Sequence, residues 1–518
     1  MRGIRLAKLG MHQRTGSGSI RTSLALVTVM AAGMLIGTAT ASAQGSRPLV
    51  VDDDSAQCPG AGYTTIQSAI DEAGEGDTVR VCGGVYNENV TVETSVKLVA
   101  KVPAAPTIDC LETTDTALPG KLTVITGAVD VAANDVEIDG VAISSPAEGP
   151  RTPIGIITHE ENSGYLIRRN VFQDTGEFGI ELQSSGAKQT VVEKNCLRRN
   201  GTEVGVRAGL AAESGALRNA VIRKNILADN FEGISVAGPH PHANISITDN
   251  IVRRETVGIF FSGFLSGNVS NNDIDVTGAV PTGAALIVGG GNLGLVVDGN
   301  SIVGGLPAIS VNRRANDTNP NANIGIVISR NRIQNSGSGI NVTFPDTVED
   351  QPNLSHGLIY RNEMTGGTGS GIVVASGNND NVLVNNRAID NGRFGIFLAA
   401  VPDYPTVSGT VAVGNTLLGN KLADARDDNW GENTWVGNRC VTQLPTDADI
   451  CSGAPTARIA AASPPSRALT IPRTPAVNTS TWPCLKVPYF EMDPDGTGVW
   501  SWVTVVAPDA PPGTYCGS

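Results

Sequence analysis

The feature that most constrains this sequence is a repeat whose units are 22 to 31 residues apart. Each unit reads Asn-x-apolar, then a polar turn, then Gly-Ile-x-apolar, as in RNRIQNSGSGINV at 330–342. Apolar residues alternate with a period of two, which predicts short β-strands rather than helices. A unit this short cannot bury its apolar face alone, so the units must stack into a solenoid. The leading asparagines stand at 170, 195, 225, 250, 272, 300, 331, 362, 386, 415 and 438.

The asparagine column predicts a structural ladder rather than a ligand site. Asn tolerates left-handed backbone and bonds to neighbouring backbone groups at turns. In stacked coils, the side-chain amides can also pair with one another and satisfy polar groups that a tight turn buries. The residues just before the column are often basic, and we interpret them as solubilising the turn: Arg169, Lys194, Lys224, Arg330 and Arg361.

Composition and the N-terminus indicate an exported chain with one repetitive body. With 61 Gly and 4% aromatic residues among 518, the chain is too poor in large side chains for several packed domains. Five basic residues precede an apolar stretch that starts at Leu24, and Ala41-Ser42-Ala43 then offers a signal-peptidase site. We predict that residues 1–43 are a signal peptide and that the mature protein is secreted from Gln44 onward; the alternative is an uncleaved anchor.

Net charge and cysteine content indicate which binding partners and which cellular compartment to expect. The net charge is −13, and it becomes −18 without residues 1–43, so we expect no nucleic-acid partner, no membrane contact after signal removal and a monomer. Eight cysteines in an exported chain favour disulfides. We predict the pairs Cys58–Cys82, Cys110–Cys196, Cys440–Cys451 and Cys484–Cys516.

The segment VVDDD…CPGAGYTTIQSAIDEAGEGDTVRVCGGVYNENVTVETSVKLVA (50–100) resembles the opening of bacterial secreted proteins of the pectin-lyase-like superfamily, and NDVEIDGVAIS (134–144) resembles an early coil. The resemblance covers about residues 50–440. It implies an all-β fold, a right-handed parallel β-helix solenoid, with a helical cap at about residues 65–73. The same fold serves pectate lyases, polygalacturonases, epimerases, adhesins and copper-site maturation factors, so it does not fix an activity.

The repeat defines the domain boundaries. We assign residues 44–451 to the β-helix with its N-terminal cap and residues 452–480, rich in Pro, Ala, Ser and Thr, to a linker. Residues 481–518 contain the alternating VWSWVTVV (499–506) and should form a small C-terminal disulfide-bonded β segment. This segment is either a lid on the last coil or a separate ligand-binding module.

Catalytic and metal signatures of the superfamily are mostly missing from the sequence. No Gly-His-Gly follows the paired aspartates Asp427 and Asp428, which disfavours a polygalacturonase. We find no clear calcium site, although Ca²⁺ binding stays open: MDPDGTG (492–498) resembles half of a calcium loop but lacks the distal Glu and is interpreted as a β-turn. His240 and His242 lie in a proline-rich excursion without further metal ligands.

The candidate catalytic residues come from an outward face of the early coils. Aligning the coils on Gly-Ile places His159, Glu181 and Arg207 on successive rungs, about 4.8 Å apart. A base, a carboxylate and a guanidinium are what proton abstraction beside a uronate carboxylate needs. The alternative is a set of surface charges.

Two function classes therefore remain. One is a polysaccharide lyase or epimerase that acts on an acidic extracellular polysaccharide through these three residues. The other is a non-catalytic carbohydrate-binding or surface adhesion protein that uses the solenoid face as a platform.

Overall fold

A computed structural model describes residues 49–113, 118–144, 154–201, 208–238, 240, 242–278, 283–312, 323–345, 352–451, 484–492 and 498–506. The chain winds through three parallel sheets in turn, and each strand pairs with the strand of the same sheet one coil later. About twelve coils stack in this way. The predicted all-β solenoid is confirmed. None of the helices in the described ranges is long and apolar enough to cross a membrane.

Strands and helices are numbered here in chain order. The first sheet contains β1 (Leu49–Val51), β2 (Thr78–Val81), β5 (Lys97–Ala100), β8 (Glu137–Asp139), β11 (Leu166–Arg168), β14 (Thr190–Glu193), β17 (Arg218–Arg223), β20 (His242–Thr248), β23 (Phe264–Ser270), β26 (Leu293–Asp298), β29 (Asn323–Ile324), β30 (Val327–Ser329), β33 (Leu354–Ser355), β34 (Leu358–Tyr360), β37 (Val382–Val384), β40 (Val411–Val413) and β43 (Thr434–Val436).

The second sheet contains β3 (Gly84–Tyr86), β6 (Thr123–Ile125), β9 (Ala142–Ile143), β12 (Val171–Gln173), β15 (Cys196–Arg198), β18 (Ile226–Ala228), β21 (Ile251–Arg253), β24 (Asp273–Asp275), β27 (Ser301–Val303), β31 (Arg332–Gln334), β35 (Glu363–Thr365), β38 (Arg387–Ile389) and β41 (Thr416–Leu418).

The third sheet contains β4 (Val90–Val92), β7 (Val129–Val131), β10 (Ile156–Thr158), β13 (Ile180–Glu181), β16 (Ala208–Ala212), β19 (Glu232–Val236), β22 (Val257–Phe261), β25 (Leu286–Val288), β28 (Ile309–Val311), β32 (Ile340–Val342), β36 (Ile372–Ala375), β39 (Phe394–Ala399), β42 (Ala423–Asp427) and β44 (Gln443–Leu444).

One long apolar core fills the solenoid. Alternate residues of each strand point inward, so every coil adds one aliphatic side chain to each inward column. The inward column of the third sheet is buried throughout the middle of the solenoid: Ile156, Ile180, Leu210, Ile234, Ile259, Leu286, Ile309, Ile340, Ile372 and Ile396. Small and β-branched side chains suffice because each is covered by the coils above and below it, which accounts for the low aromatic content.

The predicted asparagine ladder is confirmed. It occupies the turn from the first sheet to the second, which is two residues long from Arg169-Asn170 onward. Within the ladder, each Asn Nδ2 donates to the Oδ1 of the next Asn at 2.9 to 3.1 Å, from Asn170 to Asn438. All eleven side chains are buried.

The left-handed residue of this turn is not the asparagine, as the sequence argument assumed, but the residue before it. These residues have φ between +53° and +66°: Arg169, Lys194, Lys224, Asp249, Asn271, Gly299, Arg330, Arg361, Asn385, Gly414 and Gly437. The basic residues that precede the asparagine column are therefore turn residues, and their long side chains point away from the coil. Several are paired across coils, as Arg330 is with Asp298.

Three of the four predicted disulfides are present, namely Cys58–Cys82, Cys110–Cys196 and Cys440–Cys451. Disulfides persist in oxidising compartments, which agrees with an exported protein. The predicted Cys484–Cys516 pair lies outside the described residues, because Cys516 does. The signal peptide (1–43) and the linker (452–480) also lie outside them.

The remaining elements lie outside the three parallel sheets. A short helix α1 (Ile66–Asp71) begins at Thr65, whose hydroxyl accepts a hydrogen bond from Ser68 N, and it buries Ile66, Ala69 and Ile70. The role of α1 as a cap stays a prediction. A 3-10 turn covers Ala105–Thr107. The C-terminal segment contains an antiparallel hairpin of β45 (Cys484–Met492) and β46 (Gly498–Val506), and its role as a lid stays a prediction.

Candidate functional site

The candidate site lies on the outward face of the third sheet. Pairing between coils aligns Asp130, Ile157, Glu181, Ala211 and Ser235 in one outward column. Their sequence neighbours Ile180, Leu210 and Ile234 belong to the central core. Because side chains alternate across a strand, the column must point away from that core.

Several side chains on this outward face are nevertheless buried. Glu181 is 2% exposed and Ser235 is 0% exposed. Two small apolar clusters, separate from the central core, lie beside them: one is formed by Phe178, Ala208 and Ala211, and the other by Ala237, Val257, Phe260, Ala284 and Ile287. The face is therefore a sheltered surface with apolar borders, the kind of surroundings in which carboxyl groups change their pKa.

Glu181 is held by the turn that follows β16. Its Oε1 accepts hydrogen bonds from the backbone N of Glu213 at 3.2 Å and of Ser214 at 3.0 Å. Its Oε2 is buried and has no hydrogen-bond partner among the described residues. Burial raises the pKa of Glu181 above its ordinary value, while the hydrogen bonds from Ser214 and Glu213 oppose this rise. Glu181 thus fixes the position of the backbone that carries Glu213.

Glu213 is the residue whose chemistry suits proton transfer best. It is half-buried, and its Oε1 accepts a hydrogen bond from Ser235 Oγ at 2.5 Å. Its pKa is raised to about 7, mainly by burial and to a smaller extent by the negative charges of Glu232, Glu181 and Glu177, while the hydrogen bond from Ser235 opposes the rise. A carboxyl group with such a pKa exists in both protonation states near neutral pH, as a general acid or base requires.

Four glutamates form what we call the carboxyl cluster: Glu177, Glu181, Glu213 and Glu232. Glu232 opens β19 and is fully buried, and its backbone aligns with Ala208 on the previous coil. Glu177 precedes β13 and is half-buried. The negative charges of the other three members raise the pKa of Glu213, because like charges disfavour its ionised form.

His159 is on the coil before Glu181 but is not oriented by it. Its Nε2 lies 2.6 Å from Asp130 Oδ1, one coil further toward the N-terminus, and about a third of its side chain is exposed. The hydrogen-bond partner of His159 is therefore Asp130, and the catalytic role of His159, Glu181 and Arg207 stays a prediction. Glu181 is buried, so replacing its side chain would also affect packing on this face.

Arg207 lies outside the described residues. The rung position that the sequence argument gave to Arg207, next to Glu181, is occupied by Ala211. The alignment had taken Gly205-Val206 as the Gly-Ile pair of this coil, whereas the pair that enters the sheet is Gly209-Leu210. The cause is a longer turn, since this coil has 30 residues between its asparagines and the previous one has 25.

With this register, Glu213 lies two residues after Ala211, at the position that corresponds to Gln183 on the previous coil. Glu213 was therefore not predicted from the sequence, and neither was its clustering with Glu177 and Glu232. The signal that could have found Glu213 is coil length, because the five extra residues move the Gly-apolar pair toward the C-terminus.

Two other polar groups have structural roles. Within the described ranges, Asp52, Asp53 and Asp54 are the only carboxylates grouped closely enough to hold a metal ion, but each accepts a backbone N–H, as turn residues do. His242 is buried, its Nδ1 accepts a hydrogen bond from Leu217 N, and burial lowers its pKa to about 4. The segment that contained the calcium-like MDPDGTG lies largely outside the described residues.

Comparison with known proteins finds structural relatives only. No protein-family model matches the chain, and no curated protein matches its sequence. The A-module of a mannuronan C-5 epimerase from Azotobacter vinelandii is 12% identical, with 69% of this chain and 91% of that chain covered and a TM-score of 0.36. The catalytic domain of an α-1,3-glucanase is 12% identical, with 72% and 67% covered and a TM-score of 0.45.

An alginate lyase from a Paenibacillus species is 13% identical, with 68% of this chain and 91% of that chain covered and a TM-score of 0.31. Identities and TM-scores this low do not carry an activity from those proteins to this one. What the coil geometry establishes by itself is that the chain is a parallel β-solenoid.

Proposed function

We propose that the chain is a secreted carbohydrate-active enzyme that works by general acid–base catalysis, with Glu213 as the residue that donates the proton. The observation that carries the proposal is the half-buried Glu213 carboxyl on the outward face, with a pKa of about 7. The carbohydrate class rests on the resemblance of the repeat to the pectin-lyase-like superfamily. A face that continues over many coils also suits a polymer better than a small molecule.

The substrate we favour is a neutral polysaccharide. The charges that act on Glu213 come from Glu232, Glu181 and Glu177, all of which are negative. A uronate carboxylate placed among these groups would be repelled unless a cation accompanied it. The lyase or epimerase hypothesis supplied that cation with Arg207, whose predicted rung is occupied by Ala211.

Hydrolysis fits a site made of carboxyl groups. In such a reaction one carboxyl protonates the glycosidic oxygen as its bond to the sugar carbon breaks, and a second carboxylate takes a proton from the water that attacks that carbon. Glu213 would be the acid. Among the other three members of the cluster, Glu177 is the one with exposed surface, so it is our candidate for the base.

The test is a screen of the secreted protein on neutral and uronate polymers. New reducing ends report hydrolysis, absorbance of unsaturated ends reports a lyase, and NMR of the polymer reports an epimerase. We expect new reducing ends on a neutral polymer. On that polymer, Glu213→Gln should lower turnover about 10²- to 10⁴-fold, the usual contribution of a general acid.

Matched variants separate the alternatives. Glu93→Gln changes an exposed glutamate just after β4 on the same sheet and should leave turnover unchanged. His159→Ala should also have little effect, since His159 is paired with Asp130. Turnover on a uronate that depends on His159 but not on Glu213 would favour the lyase or epimerase hypothesis. Binding of a polymer with no single essential residue would favour a non-catalytic platform.

A further inference from the structure

A second ladder of polar side chains lies in the turn from the second sheet to the third, and it is broken. Thr175 Oγ1 donates to Asn200 Oδ1 at 2.8 Å, and Asn200 Nδ2 donates to Asn230 Oδ1 at 3.0 Å. Asn230 Nδ2 then donates to Glu255 Oε1 at 2.8 Å. A ladder resumes at Asn391, whose Nδ2 donates to Asn420 Oδ1 at 3.0 Å.

Glu255 is the last residue before the break, and its side chain is incompletely paired. It is fully buried, and its Oε2 has no hydrogen-bond partner among the described residues. Burial raises the pKa of Glu255 well above its ordinary value, because loss of solvent disfavours the ionised form. A buried carboxyl oxygen without a hydrogen-bond partner is costly, so Glu255 can still gain a partner from a ligand.

A cavity of about 260 Å³ occupies the gap in the ladder. Glu255 lines it together with small residues from the next coils, including Gly283, Gly305 and Gly337. Side chains at these glycines would collide with the structure, since a Cβ at Gly283 would lie 1.5 Å from Thr256 O. The cavity is thus built into the backbone path of successive coils rather than left by one missing side chain.

The lining chemistry fits a neutral hydroxylated ligand. Hydroxyl and amide groups come from Thr256, Thr277, Ser336, Thr368 and Asn335, while Leu306 supplies an apolar side chain that is 51% exposed. Among the described residues that line the cavity, Glu255 is the only ionisable one. A calcium site would need several carboxylate or carbonyl oxygens around one point, whereas the described lining offers a single carboxyl group, which argues against a cation.

We infer that this cavity binds one neutral sugar residue, with the Glu255 carboxyl hydrogen-bonded to a sugar hydroxyl and Leu306 packing against the apolar face of the ring. The volume is slightly below the range of about 300–1,000 Å³ that is typical of pockets for larger ligands. Two lining residues, Thr256 and Gly283, are next in sequence to Val257 and Ala284 of the apolar cluster that lies beside the carboxyl cluster. The inference rests on the proposed function for the class of ligand, but it concerns binding and requires no turnover.

The experiment measures binding of glucose, and of a neutral glucan oligosaccharide, by saturation-transfer NMR and titration. Glucuronate is the charged counterpart and should bind more weakly. Thr368→Trp fills the cavity from an exposed rim position and should weaken glucose binding about tenfold or more. Thr434→Trp, at an exposed threonine of β43, is the matched control and should bind glucose as the wild type does.

Two substitutions of Glu255 test the role of its carboxyl group. Glu255→Gln keeps a side chain that can hydrogen-bond to a sugar hydroxyl and should retain binding, whereas Glu255→Leu removes that group and should lose binding. Thermal melts show whether each variant is folded. If Glu255→Leu unfolds, Thr368→Trp still tests the inference, because Thr368 lies outside the ladder. Glu213→Gln should bind glucose normally, which separates this inference from the proposed catalytic role.

Three results would overturn the inference. One is that neither glucose nor the oligosaccharide binds, which would leave the cavity as a site for water. Another is binding that Thr368→Trp does not weaken, because the site would then be elsewhere. The third is stabilisation by Ca²⁺ alone that Glu255→Gln abolishes, because the cavity would then be a cation site.

Discussion

The asparagine ladder and the carboxyl cluster are both made of polar side chains on successive coils, yet they differ in how fully these are paired. In the ladder, the amide of Asn331 donates to Asn362 and to Val297 O, and its Oδ1 accepts from Asn300. In the cluster, Glu181 keeps one buried oxygen without a partner among the described residues. Amides suit the ladder because each one is both donor and acceptor, whereas ionised carboxylates only accept and repel one another.

The difference indicates which region serves the fold and which serves a reaction. A fully paired buried network stabilises one structure, and an incompletely paired one stores unfavourable free energy that a ligand or proton can release. The turn that holds the ladder is two residues long in every coil that carries it, while the turns beside the carboxyl cluster vary in length. A constant turn length thus marks the region that stabilises the fold, and a variable turn length marks the region that we assign to a reaction.

The largest expected effect on stability is in the ladder. Asn331→Ala should lower the free energy of unfolding by about 1–3 kcal/mol, because it removes the acceptor of Asn300 N and Nδ2 and the side-chain donor to Val297 O and Asn362 Oδ1, all of them buried. Chemical denaturation monitored by circular dichroism measures the change. A variant as stable as the wild type would mean that the ladder amides contribute no more to stability than solvent-exposed polar side chains do. The contrast between the ladder and the carboxyl cluster would then not hold.

A smaller, pH-dependent effect is expected from the cluster. The pKa of Glu213 is raised in the folded state to about 7 from 4.5, so the folded protein holds this proton more tightly than the unfolded chain does. Its contribution is fully present below about pH 4.5 and is lost as pH rises to about 7. The loss should be about 1–2 kcal/mol, since solvent reduces the full effect at a half-buried group.

Glu213→Gln should therefore flatten the dependence of stability on pH over this window, while Asn331→Ala should shift the curve without changing its slope. Denaturant titrations at several pH values measure both. A residual slope is expected in Glu213→Gln, because burial raises the pKa of Glu181 and Glu255 in the same direction. An unchanged slope in Glu213→Gln would contradict the assignment of a raised pKa to this residue.

The smallest effect is expected next to the ladder, at the left-handed residue. Lys224 is exposed and has φ +55°, a conformation that glycine adopts without steric cost. Lys224→Gly should change the free energy of unfolding by less than about 1 kcal/mol, because relief of strain is offset by the greater freedom of glycine in the unfolded chain. Asn225→Ala, one residue later, should cost as much as Asn331→Ala. Equal effects at the two positions would show that the turn, and not the amide, is what matters.

The fold could be predicted from the sequence because every coil repeats the same pattern of residues. The spacing of Asn170, Asn195 and the later asparagines predicts the stack, the alternation predicts the strands, and stacking predicts the ladder. Three disulfide pairs also follow from nearness along the chain or from elimination. Backbone conformation was assigned to the wrong turn residue, since Asn and its neighbour share the propensity for left-handed backbone.

The candidate site was harder to predict because it lies where the repeat is irregular. An insertion before β16 shifts the register, so Arg207 was placed on a rung that belongs to Ala211 and Glu213 was passed over. Burial of the outward face could not be inferred from alternation, which assigns outward residues to solvent. The raised pKa of Glu213 depends in part on Glu232 and Glu177, and both are too distant from Glu213 in the sequence to form a local motif with it.

The invariant two-residue turn also has a mechanical consequence. Beyond the Cys110–Cys196 disulfide, strand pairing and one file of amides join each coil to its neighbours along the axis, so a pulling force applied at the ends would load the coils in series. Each coil would then come away as a unit when its strand and amide contacts break. With asparagines about 27 residues apart on average, each event would lengthen the chain by about 90 Å. The solenoid would behave as an extensible spring whose step size is set by the spacing of one asparagine from the next.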